Sequence, residues 1–217
     1  MNNIIDTIIE EKLIVIVRGV ASEKLIPLCE AMYKGGVRVL EITYSADGSV
    51  SHEETAQNIK KLAEAFDGKM YIGAGTVLTE YQVELTKKAG GSFIISPDTN
   101  PAVIKKTKEL GMVSIPGSLT PTEIQLAHSS GADFVKLFPV TAFGSEYVKS
   151  VKAPLSHIRF LAVGGISEND IREYLDAGVC GFGLGSNIID KKALESGNYS
   201  AITDLARKFT TLVKKQR

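Results

Sequence analysis

Short runs of β-branched and aliphatic residues alternate along the chain with longer segments whose apolar positions recur every three or four residues. The runs lie at 13–17 (LIVIV), 37–43 (VRVLEIT), 69–75 (KMYIGAG), 92–96 (SFIIS), 112–115 (MVSI), 133–138 (DFVKLF), 159–163 (RFLAV) and 181–185 (GFGLG). Apolar runs of this length, bounded by Gly, Pro and polar residues, predict strands. Between them, Glu23–Lys34 places Leu25, Leu28, Ala31 and Met32 at helical spacing, and Glu54–Phe66 places Ile59, Leu62, Ala63 and Phe66 so. Ala102–Leu110 and Thr122–Ser129 follow the same period. Pro121 stands where a missing N–H does no harm, and Gly35-Gly36, Gly90-Gly91, Gly111, Gly131 and Gly178 mark helix ends.

Strands alternating with helices imply a parallel sheet. Eight such units in 217 residues, at intervals of about 20–30 residues, predict closure into a (β/α)8 TIM barrel rather than an open sheet. No GxGxxG follows the first run, which argues against a dinucleotide fold. Neither a linker nor a low-complexity tract interrupts the pattern, so residues 1–217 are expected to form a single domain. Residues 2–11 are expected to form a short extra helix across the barrel bottom.

Charge adds mostly exclusions. Lys+Arg and Asp+Glu both total 25, and no basic or acidic block stands out, so neither nucleic acid nor a membrane surface is an expected partner. The closing Lys214-Lys215-Gln216-Arg217 is expected to complement the last helix dipole. Cys29 and Cys180 form no CxxC pair and read as small buried hydrophobes. Met1–Lys12 has no signal-peptide core, and no apolar run approaches the ~18 residues of a membrane span, so a reducing cytoplasm is the expected compartment. His52 in a loop, His128 in a helix and His157 before a strand read as structural or surface residues. With no HExxH and no clustered ligand set, neither metal nor cofactor is expected.

The candidate chemistry sits on the strands. In Asp133–Pro139, alternation puts Lys136 on the face of Phe134 and Phe138. A buried lysine loses its proton readily and attacks carbonyls; an edge-strand lysine would instead snorkel to water. Glu41, on the face of Val39 and Thr43, reads either as a proton carrier or as a salt-bridged surface acid. Arg18, on the face of Ile14 and Ile16, could neutralise Glu41, disfavour the Lys136 ammonium or hold a carboxylate. In a barrel these three converge on the C-terminal mouth. Val163-Gly164-Gly165-Ile166-Ser167, leading into a helix near Glu168, and Gly183-Leu184-Gly185-Ser186-Asn187 follow the last two strands. Barrels often bind phosphate there.

These residues carry a resemblance to a known family. Gly35-Gly36-Val37-Arg38-Val39-Leu40-Glu41-Ile42-Thr43, Gly73-Ala74-Gly75-Thr76-Val77-Leu78, Ile95-Ser96-Pro97, Ile115-Pro116-Gly117, Val135-Lys136-Leu137-Phe138-Pro139 and Gly164-Gly165-Ile166 stand in the order and spacing of the 2-keto-3-deoxy-6-phosphogluconate (KDPG) aldolases, often bifunctional with 2-keto-4-hydroxyglutarate (KHG). The resemblance spans nearly the whole chain. It implies a class I, metal-independent aldolase on a (β/α)8 barrel, a homotrimer acting on a small keto acid. It implies that Lys136 forms a Schiff base and Glu41 moves protons. Arg18, Thr76, Pro97 and Phe138 match the pyruvyl pocket, and Gly164, Gly165 and Ser186 match the phosphate loops.

Two departures bear on substrate. Many relatives carry a basic residue just after the Glu-x-Thr of strand two, where this chain continues Tyr44-Ser45-Ala46, and the loop Asp47–Glu53 looks longer. Many also carry Thr before the Gly-Gly of strand seven, where Val163 stands here. The expected reaction is cleavage of KDPG to pyruvate and glyceraldehyde 3-phosphate, with KHG as a further substrate. An aldolase preferring the C4-epimeric 2-keto-3-deoxy-6-phosphogalactonate is the alternative within the class. A phosphosugar isomerase or epimerase, and a non-catalytic sugar-phosphate binder, are the alternatives outside it.

Overall fold

A computed structural model describes residues 3–215. Nine strands run parallel: β1 Leu13–Val17, β2 Val39–Thr43, β3 Tyr71–Gly75, β4 Phe93–Ile95, β5 Val113–Ile115, β6 Gly117–Ser118, β7 Val135–Leu137, β8 Phe160–Val163 and β9 Gly181–Leu184. Their order is β5-β4-β3-β2-β1-β9-β8-β7-β6. The two ends of this order are consecutive in the chain, so the sheet curls into a barrel. The fifth predicted run, 112–115, appears as β5, and the two-residue β6 that follows it lies outside every predicted run. Pro116 lies between them, and proline has no N–H to give to a ladder. The run at 13–17 matches β1 at both ends, and the others match one strand each, shortened at one end or both. Asp133, placed at the start of a run by sequence, lies outside β7; its Oδ2 accepts from Ser114 N (2.8 Å) and Lys108 Nζ (2.6 Å).

Among the described residues there are ten α-helices: α1 Ile4–Glu11, α2 Ser22–Lys34, α3 His52–Ala65, α4 Glu80–Lys88, α5 Pro101–Glu109, α6 Pro121–Ser129, α7 Gly144–Lys152, α8 Ile171–Asp176, α9 Lys191–Ser196 and α10 Tyr199–Lys214. Of these, α2–α8 connect strands, α1 precedes them and α9 and α10 follow. Their starts are chemically marked. Thr79 and Thr120 close capping boxes with Gln82 and Glu123. Helix α3 begins earlier than its apolar period indicates, because Ser51 accepts from Glu54 N. His52, expected in a loop, is therefore the first residue of α3, and the preceding loop ends at Ser51. Helix α8 starts later than expected, at Ile171 rather than near Glu168, since Asp170 Oδ2 accepts from Ser167 N and Oγ (2.7 Å each) and holds 168–170 as a turn.

Alternation divides the apolar residues into two cores. Outward strand residues such as Val15, Leu40, Ile72, Val135 and Phe160 pack with the helices. Inward residues Ile14, Val39, Phe93, Ile95, Val113, Ile115, Phe134 and Leu161 fill the barrel. Ile8, fully buried, joins this inner core, and Ile4, Ile5 and Ile9 pack on it. Helix α1 thus closes the bottom, as expected, with Asn3 accepting from Ile5 N at its start (3.0 Å); Asn2 lies outside the described residues. Lys214 pairs with Glu11 Oε2 (2.6 Å), tying α10 to α1. The remainder of the basic tail from Gln216 on lies outside the described residues.

Candidate active site

The register of the barrel brings Lys136 and Glu41 to the upper end of one interior. Lys136 lies between β6 and β8, opposite Gly117 on one side and Leu161 on the other. It is therefore not an edge lysine, and it is only 8% exposed. Its pKa is driven below the ordinary lysine value, chiefly by burial; Glu41 opposes this and Arg18 adds to it. Nζ lies 4.5 Å from the centroid of the Phe138 ring. A ring face favours an ammonium, so Phe138 resists the loss of charge that burial promotes.

Glu41 pairs in register with Ile16 and Gly73 and is 2% exposed. Burial raises its pKa, against the opposing effects of Lys136, the Thr43 hydroxyl and Arg18. Thr43 Oγ1 lies 3.3 Å from Glu41 Oε1 and 3.1 Å from Val17 O. The single Thr43 hydroxyl proton serves one of these two acceptors at a time, and when it is given to Glu41 Oε1 it favours the carboxylate. No described group donates to Oε2. A buried acid with one bare oxygen, electrically coupled to a buried amine, can exchange protons with a bound molecule.

Glycines make room for this pair. A Cβ on Gly75 would fall 1.5 Å from Glu41 Oε1, and one on Gly73 would fall 2.5 Å from the Phe93 ring. A Cβ on Gly183 would meet Val163 Cγ2 at 2.9 Å. Sequence reading placed Gly73 and Gly75 at a strand end without assigning them a task. Inward parity with Glu41 through the β2–β3 register was the signal that identifies them.

The other predicted residues lie around the rim. Arg18, exposed, donates through Nη2 to Thr76 Oγ1 (3.3 Å). Thr76 holds a left-handed φ of 54°, unusual for a β-branched residue, and so presents its hydroxyl to Arg18. Pro97 passes beside the strand that faces Lys136: a Cβ on Gly117 would come 2.3 Å from Pro97 O. Phe138 is 37% exposed and roofs the lysine. Val163 is inward and buried. Gly164 and Gly165 both have left-handed φ, 104° and 75°. Ser186, in the next loop, is exposed. Asn187 Nδ2 donates to Ile166 O (2.5 Å), joining the loops after β8 and β9.

Tyr44 does not reach the mouth. Its ring is buried outside the barrel, with its hydroxyl 3.0 Å from Thr86 Oγ1 and 3.3 Å from Gln82 O. Ser45 and Ser49 turn inward on Asp47, whose carboxyl is held well below the ordinary range by Ser45 and Ser49. His52 stacks edge-on against Tyr44 and meets Gln82 (3.2 Å), while the His128 and His157 rings touch on the surface. Among the described residues no group of three or more His, Cys, Asp or Glu could hold a metal ion. No described helix is long and apolar enough to cross a membrane. A groove of about 510 Å³ between Glu168 and α10 shares no residue with the barrel mouth, and two ion pairs lie within it, Arg207 with Asp204 (2.9 Å) and Lys208 with Glu168.

The chain is similar to known proteins in both sequence and fold. The family model described as KDPG and KHG aldolase matches residues 4–205. A 2-dehydro-3-deoxy-phosphogluconate aldolase of Haemophilus influenzae is 31% identical over 97% of each chain. A 2-dehydro-3-deoxy-6-phosphogalactonate aldolase of Escherichia coli is 35% identical over 81% of this chain and 83% of its own. Among solved structures, a KDPG aldolase from Legionella pneumophila, with pyruvate captured at low pH as a covalent carbinolamine, superposes with a TM-score of 0.85 at 27% identity, covering 95% of this chain and 98% of that one.

Proposed function

This chain belongs to the KDPG and KHG aldolase family, and on that premise we propose that it cleaves a 2-keto-3-deoxy-6-phospho sugar acid through an imine on Lys136. One observation carries the reading: a buried lysine and a buried, half-bare glutamate are coupled in the mouth of one barrel. Lys136 Nζ, as the free amine, adds to the C2 ketone to give a carbinolamine, and loss of water leaves an iminium. Glu41, as the carboxylate, takes the proton of the C4 hydroxyl, the C3–C4 bond breaks, and its electron pair forms the C2=C3 bond of an enamine as the iminium π pair moves to nitrogen. Glyceraldehyde 3-phosphate leaves. Glu41 returns the proton to C3, and water hydrolyses the imine to pyruvate and Lys136.

The electrostatics support this assignment. An ordinary lysine, with a pKa of about 10.4, is neutral in roughly one molecule in a thousand near pH 7.4. Burial and Arg18 both act to raise that fraction. Glu41, pushed toward its protonated form, is suited to carry a proton both ways. Arg18 and Thr76 are assigned to the substrate carboxylate, Pro97 and Phe138 to the walls of the pyruvyl pocket, and Gly164, Gly165 and Ser186 to the phosphate. KHG, which lacks the phosphate, is a slower second substrate in this reading. The chain acts without a metal, as one domain in a homotrimer.

Val163 favours a second reading of the substrate, because an apolar inward side chain offers the C4 hydroxyl no partner. The galactonate epimer is then the better substrate. Borohydride reduction with pyruvate tests the chemistry: a stable adduct is expected on Lys136, and an unmodified Lys136 would rule the mechanism out. Steady-state kinetics on the two C4-epimeric acids and on KHG separate the substrates.

A further inference from the structure

The loop after β8 is gripped from the side by a residue outside the family pattern traced above. Thr141, in the short helical turn Val140–Ala142 that follows β7, donates through Oγ1 to Gly164 O (2.8 Å). Both glycines pack closely against the segment that follows β7. A Cβ on Gly165 would lie 2.8 Å from the same Oγ1, and one on Gly164 would lie 3.3 Å from Pro139 Cα.

In a planar trans peptide the carbonyl and the following N–H point in opposite directions. Holding Gly164 O toward Thr141 therefore turns the Gly165 N–H away from β7. The sheet order β7-β8-β9 puts the loop of Gly185, Ser186 and Asn187 on that other side. Asn187 Nδ2 anchors Ile166 O from there (2.5 Å). The two glycines, with φ of 104° and 75°, have no Cβ to oppose the rotation that these bonds impose. Without the Thr141 bond, the 164–165 peptide has only glycine stiffness to fix it, which is the least of any residue.

We propose that Thr141 is a positioning residue for anion binding: its hydroxyl fixes the Gly164–Gly165 peptide so that the Gly165 N–H faces the space between the β8 and β9 loops, where the substrate's phosphate binds. This rests on the phosphate assignment given under Proposed function. Thr141 touches neither the reacting carbons nor Lys136 in this scheme. Its effect falls on recognition of the anion.

The test uses the purified full chain with Thr141→Val, Thr141→Ala and Thr141→Ser. Inorganic phosphate, as a competitive inhibitor, and the phosphorylated acid report on the anion site. Half-saturating pyruvate in borohydride trapping reports on the amine. Loss of one hydrogen bond is expected to raise KM for the phosphorylated acid and Ki for phosphate by about 3- to 10-fold in the Val and Ala variants, with half-saturating pyruvate unmoved and the Ser variant restored. An unchanged phosphate Ki in both Val and Ala overturns the proposal. So does an equal rise in the pyruvate value, which marks a merely structural contact. A wild-type protein that phosphate does not inhibit, and that binds phosphorylated and unphosphorylated acids alike, removes the phosphate assignment itself and this inference with it.

Discussion

Glu41 and Gly75 occupy complementary space: the carboxylate of one lies where the side chain of the other would begin, 1.5 Å from an ideal Cβ. The backbone of β3 is thus part of the acid's environment, and the glycine is a requirement of the site rather than of a turn.

Gly75→Ala is expected to displace the Glu41 carboxylate and to lower kcat by about 100-fold or more, the usual worth of a placed proton carrier. The same overpacking should cost about 1–3 kcal/mol of stability. Turnover and a denaturant titration on one preparation check both. An active Gly75→Ala enzyme would show that Glu41 works from another position.

Glu41→Gln keeps the shape and removes the proton carrier. Imine formation with pyruvate should persist, while aldol cleavage falls by about 10²- to 10⁴-fold. Borohydride trapping beside a coupled assay for pyruvate makes the comparison.

The pH dependence of trapping has a predicted sign in three proteins. With Lys136 depressed by burial, the trapping rate should rise with pH to a midpoint below the ordinary lysine value of about 10.4. Glu41 holds that midpoint up and Arg18 holds it down. Glu41→Gln should therefore lower the midpoint further, and Arg18→Gln should raise it. Shifts in the opposite directions would contradict the coupling.

Stability should follow the same groups. Lys136, depressed in the folded state, contributes stability above its unfolded pKa that is lost as pH falls through its folded value. Glu41, raised in the folded state, contributes stability below its unfolded pKa that is lost as pH rises through its folded value. Between these limits, at neutral pH, both are held at a cost. The double variant Glu41→Gln/Lys136→Met should be inactive yet more stable by about 1–3 kcal/mol at pH 7. Thermal melts across pH 4–9 check the sign.

Val163→Thr restores an inward hydroxyl beside Gly183. It is expected to move the ratio of kcat/KM between the two C4-epimeric acids toward the gluconate by about 10-fold, the scale of one hydrogen bond. Kinetics on both epimers measure it; an unchanged ratio would place the discrimination elsewhere.

Much of this architecture is legible in the chain because a barrel strand obeys one rule, alternation. Phe134, Lys136 and Phe138 could be assigned a common face, and Ile14, Ile16 and Arg18 another, before any coordinates. Boundaries were harder to read, because they follow from single polar contacts. Ser51 extends α3 back to His52, and Asp170 delays α8 to Ile171. The two-residue strand β6, beyond Pro116, is too short to show as an apolar run. The Gly75–Glu41 and Thr141–Gly164 relationships were out of reach, since each joins residues far apart in sequence through the closing of the ring.

Helix α1 has a wider consequence. Its isoleucines stopper the floor, so everything that visits Lys136 must come and go by a single door. In the proposed reaction the aldehyde fragment departs through that door first and the keto acid, still joined to the amine, last, and synthesis would load them in reverse.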